Sequence, residues 1–326
     1  MKGLKRMLIG ALVLVMASGF VVAQGQQETK YPTKGIEVNV GYSAGGATDI
    51  AARLVAPFLE KELGQPVTVI NKPGAGGEIA HSALAKATPD GYYLGFIHAP
   101  ATISITLNRN ASYKLSDFVI IGNVIYHENL IVATPNSRFK TIQDVIAEAK
   151  KSPKSITMGN SGAYADDHLA SLALQNKVGI QFEDTMFSGT APSLVALLGG
   201  HIDLVMCNVA DIVDKVRQNQ VVVLATLGAE RNPLFPNTPT MKELGYDVQM
   251  GNYTTLAAPT GTPQYIIDKL RESLKKVCTS SEYIAKAKDM GLPIKYFSAE
   301  ETEKIYADQT ERLKKLWTDL KLPTTK

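Results

Sequence analysis

The chain of 326 residues is poor in three chemically versatile residue types. It has two cysteines, one tryptophan and five histidines. Two cysteines cannot build a disulfide scaffold. His81, His98, His127, His168 and His201 are scattered, with no i,i+4 pair and no cysteine at finger spacing. No metal and no other cofactor is therefore expected. A G-x-G-x-x-G loop and the lysine of a phosphate loop are missing, which argues against nucleotide chemistry. No basic stripe is interleaved with aromatics, so nucleic acid is not an expected partner. After Ala23 there is no further long apolar run, which argues against a multi-span membrane protein. An excess of charge of one sign is also missing. The chain carries 34 basic and 31 acidic residues, and three of the basic ones are Lys2, Lys5 and Arg6. Beyond that segment the two signs balance, so any attraction for an anion must be local.

What is present is ordinary globular composition, 45% hydrophobic and 20% charged. The length fits two domains or one large one. Lys2, Lys5 and Arg6 precede an uncharged segment, Met7 to Ala23, that ends in small residues before Gln24. A basic start, an apolar run and a small-residue boundary read as a cleaved secretory signal peptide over residues 1–23. The chain is then expected to work in the periplasm or elsewhere outside the cytoplasm. Cys207 and Cys278 are expected to be free, buried thiols.

Beyond the signal, strands and helices alternate. Ile36 to Val40, Val67 to Ile70 and Tyr92 to Ile97 read as strands. A helix follows Gly45-Gly46, with Ile50, Leu54, Phe58 and Leu63 on one face, and ends at Gly64. Val119 to Val124 and Leu130 to Ala133 read as two further strands. A second strand–helix rhythm runs from Thr141 to Leu227. The chain returns through Thr255 to Ala258 and closes with helices from Gln264, Tyr283 and Ala299. This order predicts α/β architecture with crossover helices.

Several polar or glycine-rich loops follow these strands and open helices: Tyr42 to Asp49, Asn160 to Tyr164 and Ser188 to Ala191. Ligands of open α/β sheets bind beyond the carboxyl ends of the strands. Helix N-termini there offer free N–H groups, and Ser43, Thr48, Ser161, Ser188 and Thr190 add hydroxyls. Such loops can hold a carboxylate without arginine. Ser161, in Gly159-Asn160-Ser161-Gly162-Ala163, is also a conceivable hydrolase nucleophile, although the final glycine of a nucleophile elbow is missing. Asp166-Asp167-His168 reads as a helix start with acids favoured by the dipole.

Specific runs add a resemblance. Gly45-Gly46-Ala47-Thr48-Asp49, Asn71-Lys72-Pro73-Gly74-Ala75-Gly76-Gly77, Phe187-Ser188-Gly189-Thr190-Ala191-Pro192 and Ala258-Pro259-Thr260-Gly261-Thr262-Pro263 together resemble the Bug family. These are TctC-like extracytoplasmic receptors of tripartite tricarboxylate transporters. The resemblance implies a two-lobed periplasmic-binding-protein fold (type II-like), each lobe a mixed, mostly parallel sheet flanked by helices. Lobe 1 would comprise residues 24–126 plus 251–326 and lobe 2 residues 127–250, with chain crossings near Asn123 to Asn129 and Gln249 to Thr254. It implies a monomeric, non-catalytic receptor for a small-molecule carboxylate, working with the permease subunits of a membrane transporter. The implied ligand residues are Tyr42, Ser43, Gly45, Gly46, Ala47, Thr48, Asp49, His98, Ala99 and Thr102 from lobe 1. From lobe 2 they are Ser161, Gly162, Tyr164, Ser188, Gly189, Thr190 and Asn208. Many members carry lysine where this chain has Ser188, which weakens the case for a tricarboxylate. A receptor for an ATP-driven importer is the alternative within the same fold; an exported serine hydrolase is the alternative outside it.

Overall fold

The computed structural model describes residues 30–290, 292 and 294–324. The segment read as a signal peptide lies outside them. Among the described residues, no helix is long and apolar enough to cross a membrane.

The chain starts with strand β1 (Ile36–Val40), helix α1 (Ala47–Leu63), β2 (Val67–Asn71), α2 (Glu78–Ala85), β3 (Tyr93–Ala99) and α3 (Ala101–Asn108). A 16-residue strand, β4 (Phe118–Ala133), leads into α4 (Ile142–Lys151), β5 (Thr157–Asn160), α5 (Asp166–Val178), β6 (Glu183–Met186), α6 (Thr190–Leu198), β7 (Leu204–Asn208), α7 (Val209–Arg217) and β8 (Val222–Thr226). The return consists of β9 (Gly251–Pro259), α8 (Gln264–Cys278), α9 (Ser281–Asp289), β10 (Ile294–Phe297) and α10 (Ala299–Asp319).

Local chemistry explains the boundaries. Helix α1 stops at Gly64, which takes a left-handed conformation and donates its N–H to Glu60 O. Helix α4 begins at a reciprocal cap between Thr141 and Asp144, and α10 at one between Ser298 and Glu301. Helix α3 is not visible in the periodicity. Its β-branched Thr102, Ile103, Ile105 and Thr106 favour strand, but burial of Ala101 to Ile105 overrides that preference. The Thr106 hydroxyl donates back to the carbonyl of Ile103.

The strands form a mixed sheet in the order β2-β1-β3-β9-β4-β7-β5-β6, with β8 and β10 also paired to β4. The outer strands of each half are parallel; β9 and β4 run antiparallel to their neighbours in the middle. The expectation of two separate strands between residues 119 and 133 is corrected: β4 is one element. The polar stretch Tyr126-His127-Glu128-Asn129 looks like a break in an apolar pattern, yet each of these residues has a ladder partner. Irregular register on either side of Gly122 lets the strand bend without ending.

Strand β4 also joins two cores. Up to Glu128 it pairs with β9; from Asn129 onward it pairs with β7 and β8. On one side Leu54, Val55 and Leu59 of α1 pack with Ile266, Leu270 and Leu274 of α8 over β1 and β3. On the other, Val145 of α4 and Leu174 of α5 pack over Met158, Leu204 and Met206. The molecule therefore has two α/β lobes. Cys207 is buried in one and Cys278 in the other, and both are free thiols.

Candidate functional site

Strand ends and helix starts from both lobes converge at one place. Gly46, Ala47 and Thr48 open α1 after β1, Asp166 opens α5 after β5, Thr190 opens α6 after β6, and Asn208 caps α7 after β7. With Tyr42, Ser161 and Asn252 they line a small interlobe cavity of about 20 Å³. That is close to the space one water needs. The lobes are thus shut tightly on each other, and a larger solute requires them to part.

The closure is made by named contacts. Ser43 Oγ donates to Ser188 O at 2.8 Å, and Ser104 Oγ to Tyr164 O at 2.6 Å. Ala47 N–H, in the first turn of α1, donates to Asp211 Oδ1 of α7 at 2.5 Å. Gly162 lies so close to Gly76 that a Cβ on it would sit 2.9 Å from Gly76 Cα. Because Ser188 contributes its carbonyl while its side chain is exposed, Ser43→Ala should cost closure about 1 kcal/mol, roughly fivefold in affinity. Ser188→Ala should stay within about twofold of wild type, a change worth less than one hydrogen bond. Calorimetric titration of both variants with one bound acid checks the pair, and equal losses would contradict it.

The buried charge at the site is acidic. Asp166 Oδ2 accepts from Asn129 Nδ2 at 3.0 Å and Asn208 Nδ2 at 3.1 Å. Asp167 accepts from the Ser161 hydroxyl at 2.8 Å and from the Ser161 and His168 N–H groups. Asp211 accepts from the Asn208 and Ala47 N–H groups. Burial pushes all three carboxyls up; Asp166 also raises its two acidic neighbours, and Asp211 reaches about 7. Behind the cavity, His98 Nε2 and Thr48 Oγ1 are 3.0 Å apart. Burial keeps His98, His81 and His127 neutral, the last two pulled down to about 3.

Of the residues expected to hold ligand, Tyr42, Gly46, Ala47, Thr48, Ser161, Thr190 and Asn208 line the cavity. The others are placed around it. Ser43, Ser188 and Gly189 meet at the rim. Gly162 and Tyr164 touch the opposite lobe. Asp49 is engaged elsewhere: its oxygens take Arg53 Nε, Asn71 Nδ2 and Gly45 N–H. Burial alone would raise its pKa, but these bonds outweigh burial and hold the carboxyl below its ordinary value. Gly45 thus serves that internal tie. His98 supports Thr48 from behind, Thr102 Oγ1 accepts the His98 N–H at 2.8 Å, and Ala99 is fully buried at the end of β3. Ser161 donates to a carboxylate and not to an imidazole, while His168 Nδ1 accepts the Tyr164 N–H. The nucleophile reading of Ser161 is therefore corrected.

Two lining residues were not foreseen, Asp166 and Asn252. Asp166 reads in sequence as a helix-starting acid, and it does open α5. Asn252 sits on the crossing strand β9, where a lone asparagine in Gly251-Asn252-Tyr253 carries no motif. A larger cavity of about 410 Å³ lies beneath α10, walled by Ile97, Phe118, Ile120 and Tyr306 among others. It lacks converging helix starts, so the interlobe cavity is the candidate site.

Two α/β lobes joined by crossing strands, with helix starts facing each other across a polar cleft, define a solute-binding protein of the periplasmic type. The comparisons agree. The chain belongs to the tripartite tricarboxylate transporter family receptors, whose family profile matches residues 51–322. It is 36% identical over 279 residues to a UPF0065 protein in the gbd 5' region of Cupriavidus necator, covering 84% of each chain. It is 29% identical over 309 residues to protein BugT of Bordetella pertussis, covering 94% of each. Among solved structures, periplasmic binding protein BugD superposes with a TM-score of 0.86 at 29% identity, covering 90% of this chain and 100% of that one. MatC from Rhodopseudomonas palustris with bound malate gives 0.83 at 25% identity, covering 88% and 99%. This is a family of substrate-binding receptors and not of enzymes.

Proposed function

We propose that this chain is an extracytoplasmic receptor that captures a small carboxylate between its lobes and delivers it to the membrane subunits of a tripartite tricarboxylate transporter. The observation that carries this reading is the interlobe cavity, to which both lobes contribute hydroxyl, amide and helix-start donors. Lobe 1, residues 24–126 with 251–326, and lobe 2, residues 127–250, hinge where β4 and β9 cross. A carboxylate settles on the start of α1 beside Thr48, and lobe 2 closes over it with Thr190, Ser161 and Asn208. MatC, of the same fold, is a neighbour with bound malate, itself a small carboxylate, which supports the ligand class. The receptor works as a monomer, exported by residues 1–23. Micromolar affinity needs about −8 kcal/mol, within reach of a few charge-assisted hydrogen bonds in a closed site.

Thermal-shift screening of mono-, di- and tricarboxylates tests the reading. At least one should raise Tm in a concentration-dependent way. A response confined to sugars or inorganic ions would refute it.

A further inference from the structure

The acids at this site are out of proportion to what an anion receptor needs. Asp166, Asp167 and Asp211 are each buried, with at most 5% exposure, and they act on one another electrostatically. Among the described residues, no lysine or arginine lines the cavity. Lys215, on the same helix as Asp211, acts on that carboxyl. A second carboxylate brought by a solute would set its oxygens against these carboxyl oxygens at short range in a water-poor space, with no cationic side chain among the described residues lining the cavity to offset it.

An independent observation points to what would compensate. Asn252 lines the same cavity, is 3% exposed, and its Oδ1 has no hydrogen-bond partner. Asn129, whose amide nitrogen donates to Asp166, also carries an unpartnered, buried Oδ1. A buried acceptor left without a donor is costly, so such atoms mark where a donor belongs. The lining thus offers both kinds of partner. Thr48 and Thr190 bring hydroxyls; Asp166 and the side-chain amide oxygen of Asn252 supply acceptors.

Resting on the receptor reading above, we infer that the solute pairs its carboxylate with a cationic nitrogen, and that Asp166 and Asn252 bind that nitrogen. The ligand class is then an aminocarboxylate, not a simple di- or tricarboxylate. An ammonium group brings three donors and a positive charge, which suits one carboxylate oxygen and one amide oxygen. Asp166 is anchored for this role by Asn129 and Asn208, so its carboxyl is held in a fixed position at the cleft.

The test is calorimetric titration of the full exported chain with matched pairs of acids of three to eight carbons. Each pair differs only by an amino group: succinate with aspartate, glutarate with glutamate, adipate with 2-aminoadipate, and so on through the monocarboxylates. The inference predicts that the best binder is an amino member, at least tenfold tighter than its partner. Asp166→Asn should abolish that preference, with the amino member losing at least tenfold, since a neutral amide cannot pair with the ammonium charge. Asn252→Ala, on a strand and not at a helix start, should reduce the preference in the same direction and guards against a folding defect in the first variant. Binding led by acids without nitrogen would overturn the inference and leave the receptor reading standing. So would a preference that survives both substitutions. Binding by none of the acids, aminated or not, would overturn both.

Discussion

Placing a methyl group on Gly162 is expected to hold the lobes apart and weaken ligand binding at least tenfold. Gly162 has a φ of 152°, and its Cβ would stand 2.9 Å from Gly76 Cα and 3.1 Å from Gly76 N. Those are backbone atoms of the opposite lobe, which cannot rotate away as a side-chain tip could. Overpacking of this kind costs about 1–3 kcal/mol. Here it falls on the closed state only, because opening the lobes removes the contact. Backbone strain adds a separate cost that falls on open and closed states alike. Gly45→Ala separates the two. Gly45 also has positive φ, 82°, but no atom lies within 4 Å of its Cβ position. The Gly45 variant should lose stability and keep its affinity within about twofold, since strain shared by both states cancels from the closure equilibrium. Equal affinity losses in the two variants would show that strain, not blocked closure, is at work.

The second large effect concerns pH. Burial, aided by Asp166 and opposed by N–H donors from Asn208 and Ala47 and by Lys215, holds the Asp211 carboxyl up at about 7. The folded chain therefore holds a proton on this group more tightly than the unfolded chain does. Its contribution to stability is fully present below the unfolded pKa near 4 and is lost as pH rises through about 7. The buried histidines His81, His98 and His127 act in the opposite sense. Their pKa values are depressed by burial, so their contribution is present above the ordinary histidine value and is lost as pH falls. The informative quantity is the difference between wild type and Asp211→Asn, in which the histidine effects cancel. The stability of wild type relative to the variant should fall by up to about 4 kcal/mol between pH 4 and pH 7, reckoned from three pKa units. Each kcal/mol corresponds to about 2–4 °C of Tm for a domain of this size. Parallel Tm curves for the two proteins across that range would contradict this account of Asp211.

Much of this was legible in the sequence because local and global signals agreed. The first strand, Ile36 to Val40, and the helix after Gly45-Gly46 are readable from β-branched residues, helical spacing and the Gly64 stop. The site loops were readable as strand-to-helix junctions, and seven of the expected ligand residues do line the cavity. What was not legible depended on partners distant in sequence. Strand β4 stays continuous through Tyr126 to Asn129 only because β9 and β7 supply ladder partners more than 70 residues away. Asp49 looks like a ligand-facing acid until Arg53 and Asn71 are seen to take its oxygens. Asp166 looks like a helix cap until Asn129 and Asn208 bring it to the cleft. In each case the residue type was visible, but its direction was set by tertiary contacts.

The central claim is that a carboxylate is captured between the two lobes. The most direct test is a crystal structure of the protein with its tightest-binding acid from the screen. The carboxylate is predicted between the start of α1 and the lobe 2 loops, with oxygens within hydrogen-bond distance of Thr48 and of Thr190 or Ser161. An acid bound in the cavity beneath α10, or touching one lobe with the interlobe cavity collapsed as before, would contradict it.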